Sequence, residues 1–163
     1  MKKIFLIVQL LILTIIAATG QENQKANPLK GSIDAQRFVF VPRTVLPQSM
    51  SSRMVNGYYE MKITKDKITV YLPYIGRAYS ANIGQTAGPL DFEMTDFSYT
   101  ISKGKKGSDE IVIKPNVNTT DVRDMRLSVY DNGSAYLSVN FNSRQPISFN
   151  GYTDTIKEKK EKK

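Results

Sequence analysis

Apolar and polar side chains alternate in Tyr59-Glu60-Met61-Lys62-Ile63-Thr64-Lys65-Asp66-Lys67-Ile68-Thr69-Val70-Tyr71-Leu72. Successive side chains of a β-strand point to opposite faces, so this pattern predicts a half-buried antiparallel hairpin. A two-residue turn at Lys65-Asp66 pairs apolar residues across the two strands: Ile63 with Ile68, Met61 with Val70, and Tyr59 with Leu72. The opposite face is charged, and the turn lacks the glycine that such turns prefer.

The residues around Asn132-Gly133 predict a second hairpin. A two-residue turn there would place Leu127 opposite Ser138 and would split the apolar residues between both faces. A three-residue loop over 131–133 instead pairs apolar residues throughout: Met125 with Val139, Leu127 with Leu137, and Val129 with Ala135. The apolar pattern therefore favours the longer loop, with Gly133 in the left-handed bulge position.

Similar short strand patterns recur along the chain, separated by turn signals about every ten residues. They predict an all-β fold, an antiparallel meander of about eight to ten strands that forms a small barrel or a strongly curved sheet or sandwich. We expect one domain over residues 34–152, preceded by a flexible leader at 21–33 and followed by a Lys-rich disordered tail at 153–163.

The N-terminus has the layout of a secretory signal peptide. Lys2 and Lys3 precede an apolar run over residues 4–18, and Gly20 ends a group of small residues. Cleavage after Gly20 or after Ala18 fits this layout; the alternative is an uncleaved anchor, for which the run is short. We therefore expect export to the periplasm or the extracellular space, with no stable membrane span after cleavage.

Composition excludes several kinds of chemistry. The chain has no Cys and no His, so disulfides, a lipidated Cys, thiolate metal sites and a Ser-His-Asp triad are impossible. The net charge is +8, but residues 157–163 hold five Lys and two Glu, and no concentrated basic face remains that would indicate nucleic-acid binding. We expect no cofactor and no metal, and a partner that is either a small molecule or an envelope protein.

A tight acidic group lies at Asp91, Glu93 and Asp96. Two carboxylates could run glycoside hydrolysis, and Asp91 and Glu93 on one strand face could bind Ca²⁺. The alternation with Phe92 and Met94 also fits the solvent side of an ordinary strand. We favour the last interpretation and expect a protein that is not an enzyme.

An unusual corner follows the first hairpin in Leu72-Pro73-Tyr74-Ile75-Gly76-Arg77-Ala78-Tyr79-Ser80. Pro and Gly beside two tyrosines indicate a packed bend, since Pro is rare in a central strand. Aromatic and Arg side chains together also suit anionic or sugar-like ligands. The candidate ligand-binding residues are Tyr74, Arg77, Tyr79, Arg144 and Gln145. The alternative is that they hold the corner together.

Two segments carry a family resemblance: residues 72–80, and Arg144-Gln145-Pro146-Ile147-Ser148-Phe149-Asn150-Gly151-Tyr152. Together with the segments at 38–40 and 132–135, they resemble an exported bacterial family known as domain of unknown function 4251. The resemblance covers about residues 34–152. It implies an envelope or secreted location and an all-β domain, and it carries over no catalytic residue.

Two functions remain open. The protein either binds a small molecule or glycan in an aromatic-lined mouth, or it engages an envelope protein through an exposed strand edge or its basic tail. An apolar cavity near Tyr74 and Tyr79 favours the first function. A filled interior with an exposed patch favours the second.

Overall fold

A computed structural model of the protein describes residues 28–77, 88–117 and 120–156. Within these ranges the chain forms an N-terminal helix and ten strands, with a single turn of 3-10 helix at Lys105–Gly107. The elements are α1 (Pro28–Asp34), β1 (Phe38–Pro47), β2 (Arg53–Met54), β3 (Glu60–Ile63), β4 (Ile68–Leu72), β5 (Leu90–Met94), β6 (Phe97–Lys103), β7 (Asp109–Pro115), β8 (Val122–Val129), β9 (Ser134–Phe141) and β10 (Ile147–Thr155).

All strand pairs are antiparallel, in the order β5-β4-β3-β1-β10-β9-β8-β7-β6, and β2 pairs with β1. The sheet curls into a nearly closed barrel. Its two edges are β5 and β6, which follow each other in the chain but form no ladder with each other in the described structure. The predicted all-β antiparallel fold is confirmed.

Apolar side chains from every long strand meet in one cluster inside the barrel. Met61, Val70, Leu127 and Leu137, which the sequence places on the apolar faces, have no solvent exposure. Burying a large aliphatic side chain contributes about 1.5–3 kcal/mol, so this cluster is the main source of stability in a chain without disulfides. The interior positions of the described strands are therefore occupied by side chains.

Both predicted hairpins form. β3 and β4 pair Ile63 with Ile68 around Lys65-Asp66, and the Thr64 hydroxyl bonds the backbone of Lys67, donating to its O at 2.7 Å and accepting from its N at 3.1 Å. These two bonds hold a turn that lacks glycine. In the second hairpin Leu127 pairs with Leu137, and Gly133 has φ +81°, as the three-residue loop requires.

The predicted pairing of Tyr59 with Leu72 is wrong. The β3–β4 ladder begins at Glu60, and the Tyr59 ring stacks on Tyr71, with centroids 5.1 Å apart and planes inclined by 21°. Gly57 has φ +119°, a backbone conformation that residues other than glycine rarely adopt. The chain bends there, so Tyr59 leaves the strand alternation.

The pattern of residues 37–42 predicts a strand that Pro42 ends, but β1 continues through Pro42 to Pro47. The ladder with β10 shifts register between Pro42 and Thr44, which marks a β-bulge. On the other side, β3 pairs with residues 38–40 and β2 with residues 44–45, so Pro42 lies between the two ladders. A missing N–H is tolerated at such a position.

Both ends of the domain extend beyond their expected limits. Residues 28–34, most of them expected in a flexible leader, form α1, and Ile33 is 2 % exposed at the end of the core. Strand β10 continues to Thr155, so residues 153–155 do not belong to the tail, and Thr153 is buried. The predicted signal segment and the residues after 156 lie outside the described residues. None of the helices in the described ranges is long and apolar enough to cross a membrane.

Candidate functional site

Four of the five candidate ligand-binding residues come together at one end of the barrel. Tyr74 and Arg77 follow β4, and Arg144 and Gln145 precede β10. The backbone N of Gln145 donates to the O of Arg77 at 3.0 Å, which joins the two segments directly. We call the two joined segments, residues 72–77 and 144–145, the corner. Tyr79 lies outside the described residues.

Tyr74 is the packed centre of the corner, with 8 % exposure. Its hydroxyl donates to the carbonyl oxygen of Gln145 at 3.1 Å and lies 3.4 Å from that of Arg77. Its ring meets Phe141 edge-on, with centroids 5.6 Å apart. A Cβ on Gly76 would lie 2.5 Å from the Tyr74 hydroxyl, so the bend needs glycine at that position. The predicted packed corner is therefore confirmed over residues 72–77.

Gln145 fastens the corner with its side chain. The amide oxygen accepts a hydrogen bond from the backbone N of Arg77 at 3.2 Å, and the amide nitrogen donates to Ser49 Oγ at 3.3 Å. Both ends of the amide are used within the protein. The geometry of Tyr74 and Gln145 thus fits the structural interpretation better than direct contact with a ligand.

Arg144 has one face on the corner and another toward solvent. Its guanidinium lies over the rings of Tyr74 and Phe141, at 5.2 and 5.3 Å from their centroids. Its Nε donates to Asp121 Oδ2 at 2.9 Å, and the other Asp121 oxygen accepts from the backbone N of Ser143 at 3.0 Å. The two side chains stay 28 % and 24 % exposed, so a polar ligand can still reach them.

An open groove of about 480 Å³ lies beside this ion pair. We call it the corner groove; it is lined by residues 89–92, residues 120–122, Phe141, Ser143 and Arg144. Among the described strands β5 pairs only with β4, and the groove includes residues from both faces of this edge strand. Free backbone groups of an edge strand offer additional donors and acceptors.

Two further polar groups belong to the groove. Asp91 is an exposed carboxylate of its wall. The Oγ1 atom of Thr120 is buried and has no hydrogen-bond partner among the described residues. A buried hydroxyl without a partner costs about 1–3 kcal/mol, and a ligand or a water molecule that reached it would recover part of that cost.

The acidic group of β5 does not form a paired-carboxylate cleft. Glu93 lies on the outer face, where it accepts from Lys67 Nζ at 3.1 Å and from Thr69 Oγ1 at 3.3 Å. Asp96, in the turn before β6, accepts from Asn116 Nδ2 at 2.7 Å. No cluster of three acidic residues suited to a metal occurs within the described ranges. The alternation along β5 is the solvent face that the sequence indicates.

A second groove, of about 400 Å³, was not predicted from the sequence. It lies on the outside of the barrel, and we call it the tyrosine groove; it is lined by Val41, Gly57, Tyr58, Tyr59, Glu60 and Tyr71. Tyr58 is fully exposed and Tyr71 is 40 % exposed. The available signal was Tyr71 itself, an aromatic residue in register with the charged face of the first hairpin.

The antiparallel β fold of this chain has been seen in a solved structure. The family model for domain of unknown function 4251 matches residues 20–153, so the chain belongs to that family. The protein is also similar to a member from Bacteroides eggerthii DSM 20697 whose crystal structure was determined at 1.95 Å resolution. That similarity has a TM-score of 0.54 and 16 % identity, and covers 78 % of this chain and 85 % of the other.

The predicted family resemblance is thereby confirmed. A search of curated proteins gave no match. At 16 % identity the solved structure supports the fold alone. The function therefore has to be inferred from the two grooves and the residues that line them.

Proposed function

We propose that this protein is an exported, non-enzymatic binding domain whose corner groove takes a neutral, hydroxyl-rich small molecule, a saccharide unit. The observation that carries this proposal is the Asp121–Arg144 ion pair at the wall of a groove of about 480 Å³. The Arg144 guanidinium lies over the edge-to-face pair of Tyr74 and Phe141, so the outward polar atoms of the ion pair are presented in a fixed arrangement.

The charges of the groove favour a neutral ligand over an anion. The positive charge of Arg144 is compensated by Asp121, and Asp91 adds a carboxylate that repels anions. Carboxylate, guanidinium and hydroxyl groups on one wall can accept from and donate to sugar hydroxyls. By the criterion stated from the sequence, a filled interior favours the second function, so the proposal of a small-molecule ligand rests on the surface groove and not on an internal cavity.

The non-enzymatic part of the proposal is supported by the groups around the ion pair. Both oxygens of Asp121 already accept hydrogen bonds within the protein, which suits a positioning role. Glu93, the other carboxylate considered for hydrolysis, is bound to Lys67 on the outer face. Incubating the protein with its bound glycan and following reducing ends over a day tests this part. Release that Asp91→Asn abolishes would overturn it.

The binding experiment uses the full-length gene product, purified in the form that the cell yields. Native mass spectrometry first reveals any retained ligand, and an array of neutral mono- and oligosaccharides then identifies a probe. We expect Asp91→Ala to weaken binding of that probe about tenfold, because a hydrogen bond to a charged group contributes about 1.5–3 kcal/mol.

Glu93→Ala is the matched control, since it removes a carboxylate from the same face of β5 outside the groove. It should leave the affinity within about twofold, the range of a surface substitution. Equal losses for both variants, or no binding of any neutral sugar, would contradict the proposal.

Export is proposed on the signal-like layout of residues 1–20. Cell fractionation followed by N-terminal sequencing is the test. We expect a periplasmic or extracellular protein that begins at Gln21, or at Thr19 if cleavage follows Ala18. A cytoplasmic protein with an intact Met1 would contradict this part.

A second candidate, binding of an envelope protein, is favoured by edge strand β6. Among the described strands β6 pairs only with β7, and Ile101 on it is 38 % exposed. A partner strand could extend the sheet at this edge. Ile101→Pro would remove a backbone N–H that points away from β7 and should abolish a complex formed in this way, as measured by cross-linking in whole cells. Thr95→Pro, in the preceding turn, is the control.

A further inference from the structure

The tyrosine groove presents aromatic faces to solvent. Tyr58 is fully exposed, and Tyr71 stacks on Tyr59 while remaining 40 % exposed. An exposed aromatic ring has a negative face that attracts the weakly positive C–H groups of a sugar ring, while its hydroxyl can bond the sugar hydroxyls. The groove volume of about 400 Å³ is close to that of the corner groove.

The loop that carries these rings is held in place. Gly57 has φ +119°, and a Cβ on it would lie 3.3 Å from the Tyr59 ring. The ring of Tyr59 is fixed in turn by its stack on Tyr71 of β4. The stacked pair of Tyr59 and Tyr71 is therefore fixed on the barrel wall, which lowers the entropy cost of binding to it.

The two grooves are neighbours on the sheet. Cross-strand pairing places Glu60, Tyr71 and Asp91 in one row across β3, β4 and β5. Tyr71 lines the tyrosine groove and Asp91 lines the corner groove. Paired residues on adjacent strands share a face and lie about 5 Å apart. One strand spacing thus separates the linings of the two grooves.

We infer that the two grooves are consecutive subsites for one neutral oligosaccharide, whose chain crosses β4 and β5 between Tyr71 and Asp91. This inference rests on the proposed function of the corner groove and names its ligand as a chain rather than a single sugar. The corner groove holds one unit through polar groups, and the tyrosine groove holds a following unit through ring faces.

The charges along this row select against other occupants. The carboxylates of Glu60 and Asp91 stand on either side of Tyr71, so an anionic polysaccharide or an acidic peptide would be repelled. Glu60 is compensated in part by Lys62 at 3.5 Å, which leaves no excess positive charge at the groove. A neutral chain of sugar rings matches this alternation of carboxylates and aromatic faces.

The test is isothermal titration calorimetry with the neutral sugar found on the array and its homologues of one to about six units. We expect the affinity of the full-length gene product to rise about tenfold between the shortest and the longer chains. Tyr71→Ala and Tyr58→Ala should each remove most of that gain and leave the affinity for the single unit within about twofold. The fully exposed Tyr58 serves as the second variant in case Tyr71→Ala disturbs the fold.

Tyr136→Ala is the matched control, because Tyr136 is a 38 % exposed tyrosine on the far wall, bonded to Ser148 Oγ at 2.9 Å. It should change no affinity. Equal affinity for short and long chains, or equal effects of the Tyr71 and Tyr136 variants, would overturn the inference while the corner groove remained a sugar site. If no neutral sugar of any length bound, the proposed function itself would fail. Loss of self-association or of a protein partner on Tyr58→Ala, without an effect on sugars, would assign the tyrosine groove to protein binding and overturn the inference.

Discussion

Tyr74 and Tyr71 lie three residues apart in the chain but have opposite surroundings. Tyr74 is 8 % exposed and its hydroxyl bonds the backbone of the corner, whereas Tyr71 is 40 % exposed on the barrel wall. The same side chain thus stabilises the fold at one position and forms an open surface at the other. Aromatic residues beside Pro and Gly mark a filled bend, and the surface suited to a ligand lies among the charged residues of the preceding strand.

The largest effect should come from truncating the two rings. Tyr74→Ala removes a buried aromatic side chain and should lower the free energy of unfolding by about 3–5 kcal/mol. Tyr71→Ala removes an exposed ring and should cost about 1 kcal/mol, mainly from the lost stack on Tyr59. Urea unfolding followed by far-ultraviolet circular dichroism measures both values. Equal losses of stability for the two variants would mean that Tyr74 is no better packed than Tyr71.

A smaller effect is expected at Asp124, a buried carboxylate on β8 three residues after Asp121 of the corner groove. Burial disfavours its charge, but hydrogen bonds from Asn140, Arg126 and Arg123 outweigh burial and hold the pKa of Asp124 below its usual value. At neutral pH, Asp124→Asn should cost about 1.5–3 kcal/mol, the contribution of hydrogen bonds to a charged group.

The lowered pKa of Asp124 also fixes the sign of the acid response. A carboxylate with a depressed pKa in the folded state stabilises the protein above the unfolded pKa, near 3.9, and this contribution is lost as the pH falls toward the folded pKa. Urea midpoints of the wild type should therefore fall below about pH 4, and those of Asp124→Asn should fall less. Asp66→Asn, in an exposed turn, should follow the wild-type profile.

Removing only the hydroxyl of the buried ring isolates the hydrogen bonds of the corner. Tyr74→Phe should cost about 1–1.5 kcal/mol, because the carbonyl oxygens of Arg77 and Gln145 lose a donor. Combining it with Gln145→Ala should give a total below the sum of the two single costs, since both residues fasten the same bend. Strict additivity would show that the two sets of bonds act separately.

The smallest change in stability should accompany a clear change in binding. Tyr58→Ser alters a fully exposed ring and should leave the free energy of unfolding within about 0.5 kcal/mol. It should nevertheless weaken binding of the longer neutral sugars several-fold. If the Tyr58→Ser variant is stable and binds these sugars as the wild type does, the exposed tyrosines do not form a sugar-binding surface.

Local patterns predicted the strands and both hairpin registers. Side chains alternate between the two faces of a strand, and only one loop length in each hairpin places the apolar residues of both strands on the same face. The same patterns missed the continuation of β1 through Pro42, which depends on the gap between β3 and β2 on the neighbouring side. They also missed the helix at residues 28–34. This helix contacts β10, which is distant in the chain, as well as the neighbouring β1, and its Ile33 is buried. The end of β1 and the formation of α1 depend on contacts with segments that are distant in the chain.

The candidate site was predicted in part. The corner brings together Tyr74, Arg77, Arg144 and Gln145, although Arg77 and Arg144 are 67 positions apart in the chain. The role of each residue could not be predicted, because it depends on which atoms are already bonded. The side-chain amide of Gln145 is hydrogen-bonded to Arg77 and Ser49, whereas Arg144 lines the corner groove.

The sequence by itself determined the fold class, the hairpin registers, the absence of His and Cys chemistry, and the family. The fold class, the registers and the excluded chemistry follow from side-chain period and composition, and the family follows from the motifs at residues 72–80 and 144–152; all of these are local properties. Only the tertiary structure decided that Tyr74 is a buried support and that Tyr71 and Asp91 are neighbours between two grooves. Such neighbours are set by the pairing of strands that are distant in the chain, and a linear pattern carries no record of which strand edges meet.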